Sequence, residues 1–317
     1  MAAVAADTGS VVAADTGHTP GFNERVYASS GGNEDTMWLM TYAVSVCYML
    51  LIGFMLFRCC FSPRWQHVAA YDVEATQPTL ASGAVAQPGV KPFVSELDQQ
   101  WRKAFVVKVY SILVAQLALT FGISFSMMQF GGEALYIWLR TDGALARLAS
   151  LLLMLGTLIG LMYNKNKHPL NFVLLTAFTG LMAFSIGCTA VTYAAAGLGV
   201  LVVEAFAITS IVFVGLTVFT MVSKIDFSFL GAILPVLLLC LLVWGFLGMF
   251  AFGGFAFRQL YSLAGGVIFS LYVLYDTHII TQRLAYDEFI LAAIELYLDF
   301  VNLFLFILSF LQGESRN

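Results

Sequence analysis

The chain has 317 residues, 60% hydrophobic and 11% charged, with a formal net charge of −4. Soluble domains carry about 25% charged residues, so this composition excludes an ordinary soluble fold, and the lack of a dense Lys/Arg stripe sets nucleic-acid binding aside. Four scattered His and five Cys without a C-x-x-C pair argue against a zinc site and a disulfide framework.

In chain order, residues 1–36 are rich in Ala, Gly, Thr and Asp, lack periodicity and read as a disordered tail without the basic start of a cleavable signal peptide. Residues 37–57 are uncharged and long enough to cross a hydrocarbon layer of about 30 Å, so they read as an uncleaved signal anchor. Residues 58–100 hold Pro63, Pro78, Pro88 and Pro92 among polar and small residues, a composition that cannot bury a core of its own. They are expected to be a cytosolic linker. Cys59 and Cys60 open it, either as acylation sites or as small residues at a helix end.

A membrane body follows over 101–317. Its apolar segments are 105–129, 144–163, 169–193, 198–222, 228–251, 259–281 and 288–312, without period-2 alternation, so the spans are helices. The expected fold class is an all-α integral membrane protein: a multi-span helical bundle preceded by one extra N-terminal transmembrane helix. Basic residues mark the cytosolic side. Arg58, Arg64, Lys91, Arg102, Lys103, Lys108, Lys165, Lys167, Lys224 and Arg283 fall on one side, against Arg25, Arg140, Arg147 and Arg258 on the other. The linker and the loops 164–168, 223–227 and 282–288 are therefore expected in the cytosol and the N-terminus in the lumen. Whether 288–312 crosses or re-enters stays open, because its polar residues cluster in its first half.

Four acids lie within apolar segments: Glu204, Asp276, Glu295 and Asp299. A charge at the centre of a membrane helix costs about 2.5–3.5 kcal/mol on insertion scales, so such residues normally face a bundle interior or a wet cavity. Asp276 and Asp299 are equidistant from the turn at Asp287 and Glu288, and at 1.5 Å per residue each lies roughly 17 Å from it. The two carboxyls land at one depth, where a pair sharing one proton is expected. Such a pair is a proton switch and offers the hard oxygens that Ca²⁺ prefers, with Asn302 and Tyr272 as further oxygens on matching faces. The alternative is a structural pair that pins two helices and transports nothing.

Glu295 either extends the acidic face or snorkels to the cytosolic interface. Glu204 falls near the lumenal mouth, as a vestibule acid or an interfacial residue. His278 points to a face other than that of Asp276 and reads as a packed or interfacial histidine. Gly156 and Gly160 form a GxxxG motif, read first as close packing within the bundle. An intramembrane aspartyl protease fails on its second motif, because Leu296 and Leu298 stand where G-x-G-D needs glycines, and no enzyme is expected. A non-conducting scaffold that binds channels or death regulators remains a further reading.

Five ordered segments carry a resemblance: FVVKVYSIL at 105–113, NKHPLNFVLL at 166–175, FVGLTVFT at 213–220, LYDTH at 274–278 and YDEFILAAIELYLDFVNLFLFIL at 286–308. Over Trp101 to Leu311 the chain resembles the transmembrane Bax inhibitor motif family, in its lifeguard and Golgi anti-apoptotic protein branch. The resemblance implies six spans around a central seventh helix in endoplasmic reticulum or Golgi membranes, and suppression of cell death. It further implies a pH-sensitive calcium leak whose aspartate latch matches Asp276 and Asp299, with Ca²⁺ and H⁺ as permeant or transiently bound ions and no other cofactor. A calcium/proton exchanger is a close variant, and calcium channels or death regulators are the implied protein partners. In bacterial members a basic residue locks the acid pair; here Asn164 stands at the aligned place with Lys165 beside it, and these two are the candidate latch partners. Glu295 occupies a place where relatives commonly carry a small polar residue.

Overall fold

The computed structural model describes residues 80, 82–83, 93–141, 143–164, 167–250, 255–282 and 288–314. The expected tail and signal anchor lie outside the described residues. Eight α-helices are described: α1 Gln99–Phe130, α2 Gly132–Thr141, α3 Gly143–Asn164, α4 Leu170–Ala195, α5 Gly199–Val222, α6 Leu230–Phe250, α7 Phe255–Gln282 and α8 Phe289–Glu314. All but α2 are long and apolar enough to cross a membrane, one for each expected segment of the body. The chain is thus an all-α, multi-span membrane protein.

α1 begins earlier than its apolar run because the Asp98 side chain caps it, accepting from the Gln99 N–H at 2.9 Å. α2 was not expected. Gly132, at a φ of +53°, lets the chain break after α1, and Tyr136 and Leu139 then bury one face of the new helix against Cys188, Val191 and Ala195 of α4. The end of the expected linker also departs from a plain tether. A single 3-10 turn, Val94–Glu96, sets Val94 (0% exposed) and Leu97 (1%) into the packed interior beside α1 and α7, so two apolar residues suffice where the composition promised no burial.

α8 is the axis of the bundle. In its most apolar 18-residue stretch 83% of residues are buried, against 22–56% for the other six spans, as befits a helix that is apolar nearly all round. It is an unbroken helix of 26 residues, about 39 Å long, with no interruption at which the chain could turn back. α7, α5 and α1 pack directly on it. Membrane helices gain little from a hydrophobic effect, so interlocking and buried hydrogen bonds must hold them. Phe300 and Phe304 of α8 interleave with Phe121 of α1, at 6.0 and 5.1 Å between ring centroids, and Phe300 also meets Phe213 of α5 at 5.3 Å. Thr120 and Tyr297 share a hydrogen bond of 2.7 Å, and Tyr193 of α4 donates to the Gln312 side chain at 2.8 Å. At the other end the Lys108 ammonium sits 3.3 Å over the Phe289 ring.

Candidate functional site

α7 and α8 run antiparallel in the largest helix–helix contact of the bundle. Helical spacing puts Asp276, Tyr272, Phe269, Gly265 and Ser262 on one face of α7, and Asp299, Asn302, Phe306 and Ser309 on one face of α8. Opposed directions then match the two rows in order. The carboxyls of Asp276 and Asp299 hydrogen-bond to each other. Farther along, Phe306 stacks on Phe269 with centroids 5.7 Å apart and packs on Tyr261 at 5.5 Å. Beyond that layer the Ser262 hydroxyl donates to the Ser309 hydroxyl at 2.9 Å. The seam is therefore polar at both ends and aromatic in the middle.

The carboxyl pair is buried. Asp276 is 7% exposed, Asp299 1% and Asn302 0%. Buried polar atoms are normally partnered, yet Asp299 Oδ2 and Asn302 Oδ1 have no hydrogen-bond partner among the described residues, while Asn302 Nδ2 is spent on the Leu298 carbonyl at 2.8 Å. Both unpartnered atoms are oxygens within one turn of α8, the donor type a hard cation takes. Among the described residues no group of three or more His, Cys, Asp or Glu gathers.

The other candidates separate. Tyr272 is 1% exposed and tilted against Phe269, on the face expected for it. Glu295 is half-buried one turn before Asp299 and within electrostatic reach of it. Asn164 ends α3, a helix that packs on α4 and α2, and its Nδ2 is spent on the Gly160 carbonyl at 2.8 Å. Its role there is to satisfy a helix-end carbonyl. Lys165 lies outside the described residues. Among the described residues no cation forms an ion pair with Asp276 or Asp299. Glu204 is exposed in the second turn of α5, whereas both members of the pair are buried. A Cβ added at Gly160 would lie at ordinary contact distance, 3.7 Å, from Leu174, and one at Gly156 would meet nothing within 4 Å, so neither glycine of the GxxxG motif is required by close packing among the described residues.

His278 does point away from the pair, but its partner was not foreseen: Nε2 lies 2.9 Å from Asp226 Oδ1, which ties α7 to the connection after α5. The aromatic layer was also missed. A side chain at Gly265 would collide with the Phe306 ring, so Gly265 is the slot that admits it, and no spacing in either helix reveals that match.

A family model described as inhibitor of apoptosis-promoting Bax1 matches residues 102–317, the whole of this bundle from the first turn of α1. The chain belongs to the Bax inhibitor family. Within that family it is 38% identical to protein lifeguard 4 of Mus musculus over 215 residues, 68% of this chain and 87% of that protein. It is 33% identical to protein LIFEGUARD 2 of Arabidopsis thaliana over 231 residues, 72% of this chain and 95% of that protein. It is 35% identical to the Golgi anti-apoptotic protein of vaccinia virus (strain Lister) over 215 residues, 68% of this chain and 87% of that protein. The hydrogen-bonded carboxyls and the aromatic layer both lie inside the segment that carries the family match, whereas residues 37–57 precede it.

Proposed function

We propose that this Bax inhibitor family chain is a proton-sensitive calcium leak channel of intracellular membranes that suppresses cell death. The observation that carries it is the hydrogen-bonded, buried pair Asp276–Asp299 on the two central helices. Two carboxylates in contact cannot both keep their charge cheaply, so one proton shared between them is the economical state. While it stays, the pair fastens α7 to α8. When it leaves, two like charges repel, the seam loosens, and hard oxygens become available to Ca²⁺. The aromatic layer of Phe269 and Phe306 is a dry constriction that such loosening would open. The link to cell death rests on the names of the relatives, one of them a Golgi anti-apoptotic protein, and that name also favours the Golgi or endoplasmic reticulum as the membrane.

Calcium flux into liposomes containing the purified protein, measured across pH 6 to 8, tests the reading. Wild type conducts more as pH rises and the shared proton leaves; Asp276→Asn and Asp299→Asn lose that dependence. Wild-type flux no greater than that of empty liposomes sinks the proposal and leaves a scaffold that binds other proteins. Flux that requires an opposing proton gradient turns the same pair into a calcium/proton exchanger.

A further inference from the structure

A polar cavity, separate from the carboxyl pair, opens at the basic end of the bundle. It encloses about 340 Å³ between the start of α1, the end of α5 with the connection after it, and the last turns of α7. Arg102 lines it from α1 and Lys224 from the connection, two cations brought together from separate elements. Neither forms an ion pair with any described residue. Among the described residues the one acid in the lining, Asp226, is held by His278 at 2.9 Å and by the Ser228 N–H at 2.9 Å. Two cations against one engaged carboxylate leave a positive cavity, and like charges gathered in this way call for an anion from outside the chain.

The cavity has a second character. Met221 and Ile225 line it too, and they are 43% and 53% exposed. From them an apolar stripe continues down α5 through Val218 and Val214, both more than half exposed, toward the depth of the hydrocarbon. A positive cup at the interface that opens on an apolar stripe has the shape of an amphiphile. We propose that it binds the phosphate of an acidic phospholipid headgroup, with an acyl chain along the α5 stripe. Basic pockets between membrane helices on the positively charged face are where anionic headgroups are held. This site does not depend on calcium conduction.

Native mass spectrometry of the full-length protein, titrated with phosphatidylinositol 4-phosphate or with phosphatidylcholine, tests it. The acidic lipid is expected to give a one-to-one adduct that outlasts the zwitterionic one. Removing each cation lowers affinity about fivefold, so the double variant Arg102→Gln, Lys224→Gln loses more than tenfold. Asp226→Asn, which removes the negative charge from the lining, binds the acidic lipid more tightly, an opposite sign that misfolding cannot imitate. Equal retention of the two lipids, or a double variant that binds like wild type, overturns the proposal. Displacement of the lipid by millimolar inorganic phosphate overturns the lipid assignment in favour of a soluble anion.

Discussion

Asp276 and Asp299 raise the question of cost. A buried pair is weak evidence for stability, because hydrophobic residues of similar volume often replace such a pair at no loss. Removing one partner differs, since the survivor keeps the desolvation penalty without its hydrogen bond. Asp276→Leu alone is therefore expected to destabilise the bundle by about 1–3 kcal/mol, while the double variant Asp276→Leu, Asp299→Leu melts at or above the wild-type temperature. Thermal unfolding in detergent measures both. A double variant less stable than the single one would mean that the carboxyls are structural glue, which would remove the reason to seek a functional role for them. At this scale the sequence was a good guide to the pair, because the rise of a helix is fixed by its backbone and depth follows from counting. It was a poor guide to Asn164, whose amide turns back on its own helix at Gly160 instead of reaching the acids.

Between α7 and α8 the decisive contact is one glycine against one ring. Gly265 has no room for a side chain beside Phe306, whereas Gly266, its neighbour, meets nothing within 4 Å. Overpacking a tight contact costs about 1–3 kcal/mol, so Gly265→Ala is expected to lower the melting temperature and Phe306→Leu in the same chain to restore part of it. Gly266→Ala should be neutral or stabilising by up to about 1 kcal/mol, because alanine is the better helix former. Equal effects at the two glycines would show that Phe306 is not wedged there. Helical spacing from Asp276 sets Gly265, and not Gly266, on the seam face of α7, but only the packing of α7 against α8 seats the Phe306 ring there.

For the whole molecule, the central and unbroken α8 fixes which face receives its end. Tyr193 near the end of α4 binds Gln312 near the end of α8, whereas the starts of these helices lie toward the basic end, where Lys108 covers Phe289. α8 therefore crosses the bundle from its basic end to the opposite one. Single-cysteine variants Lys224→Cys and Glu314→Cys, in a background without the native cysteines, are expected to react with impermeant reagent from opposite faces of the membrane. Labelling from the same face would mean that α8 enters and returns.

The sequence by itself determined the membrane class, the number of spans in the body and the shared depth of Asp276 and Asp299, since hydrophobic length and helix rise are local quantities. Tertiary structure alone decided that α8 is the axis, that Gly265 admits Phe306, that His278 holds Asp226, that Val94 and Leu97 are buried, and that Arg102 and Lys224 face one cavity. The reason is physical. In a lipid-facing bundle both the buried and the outward faces of a helix are apolar, so hydropathy reports depth along the membrane normal but not how each helix is turned or which neighbour it meets.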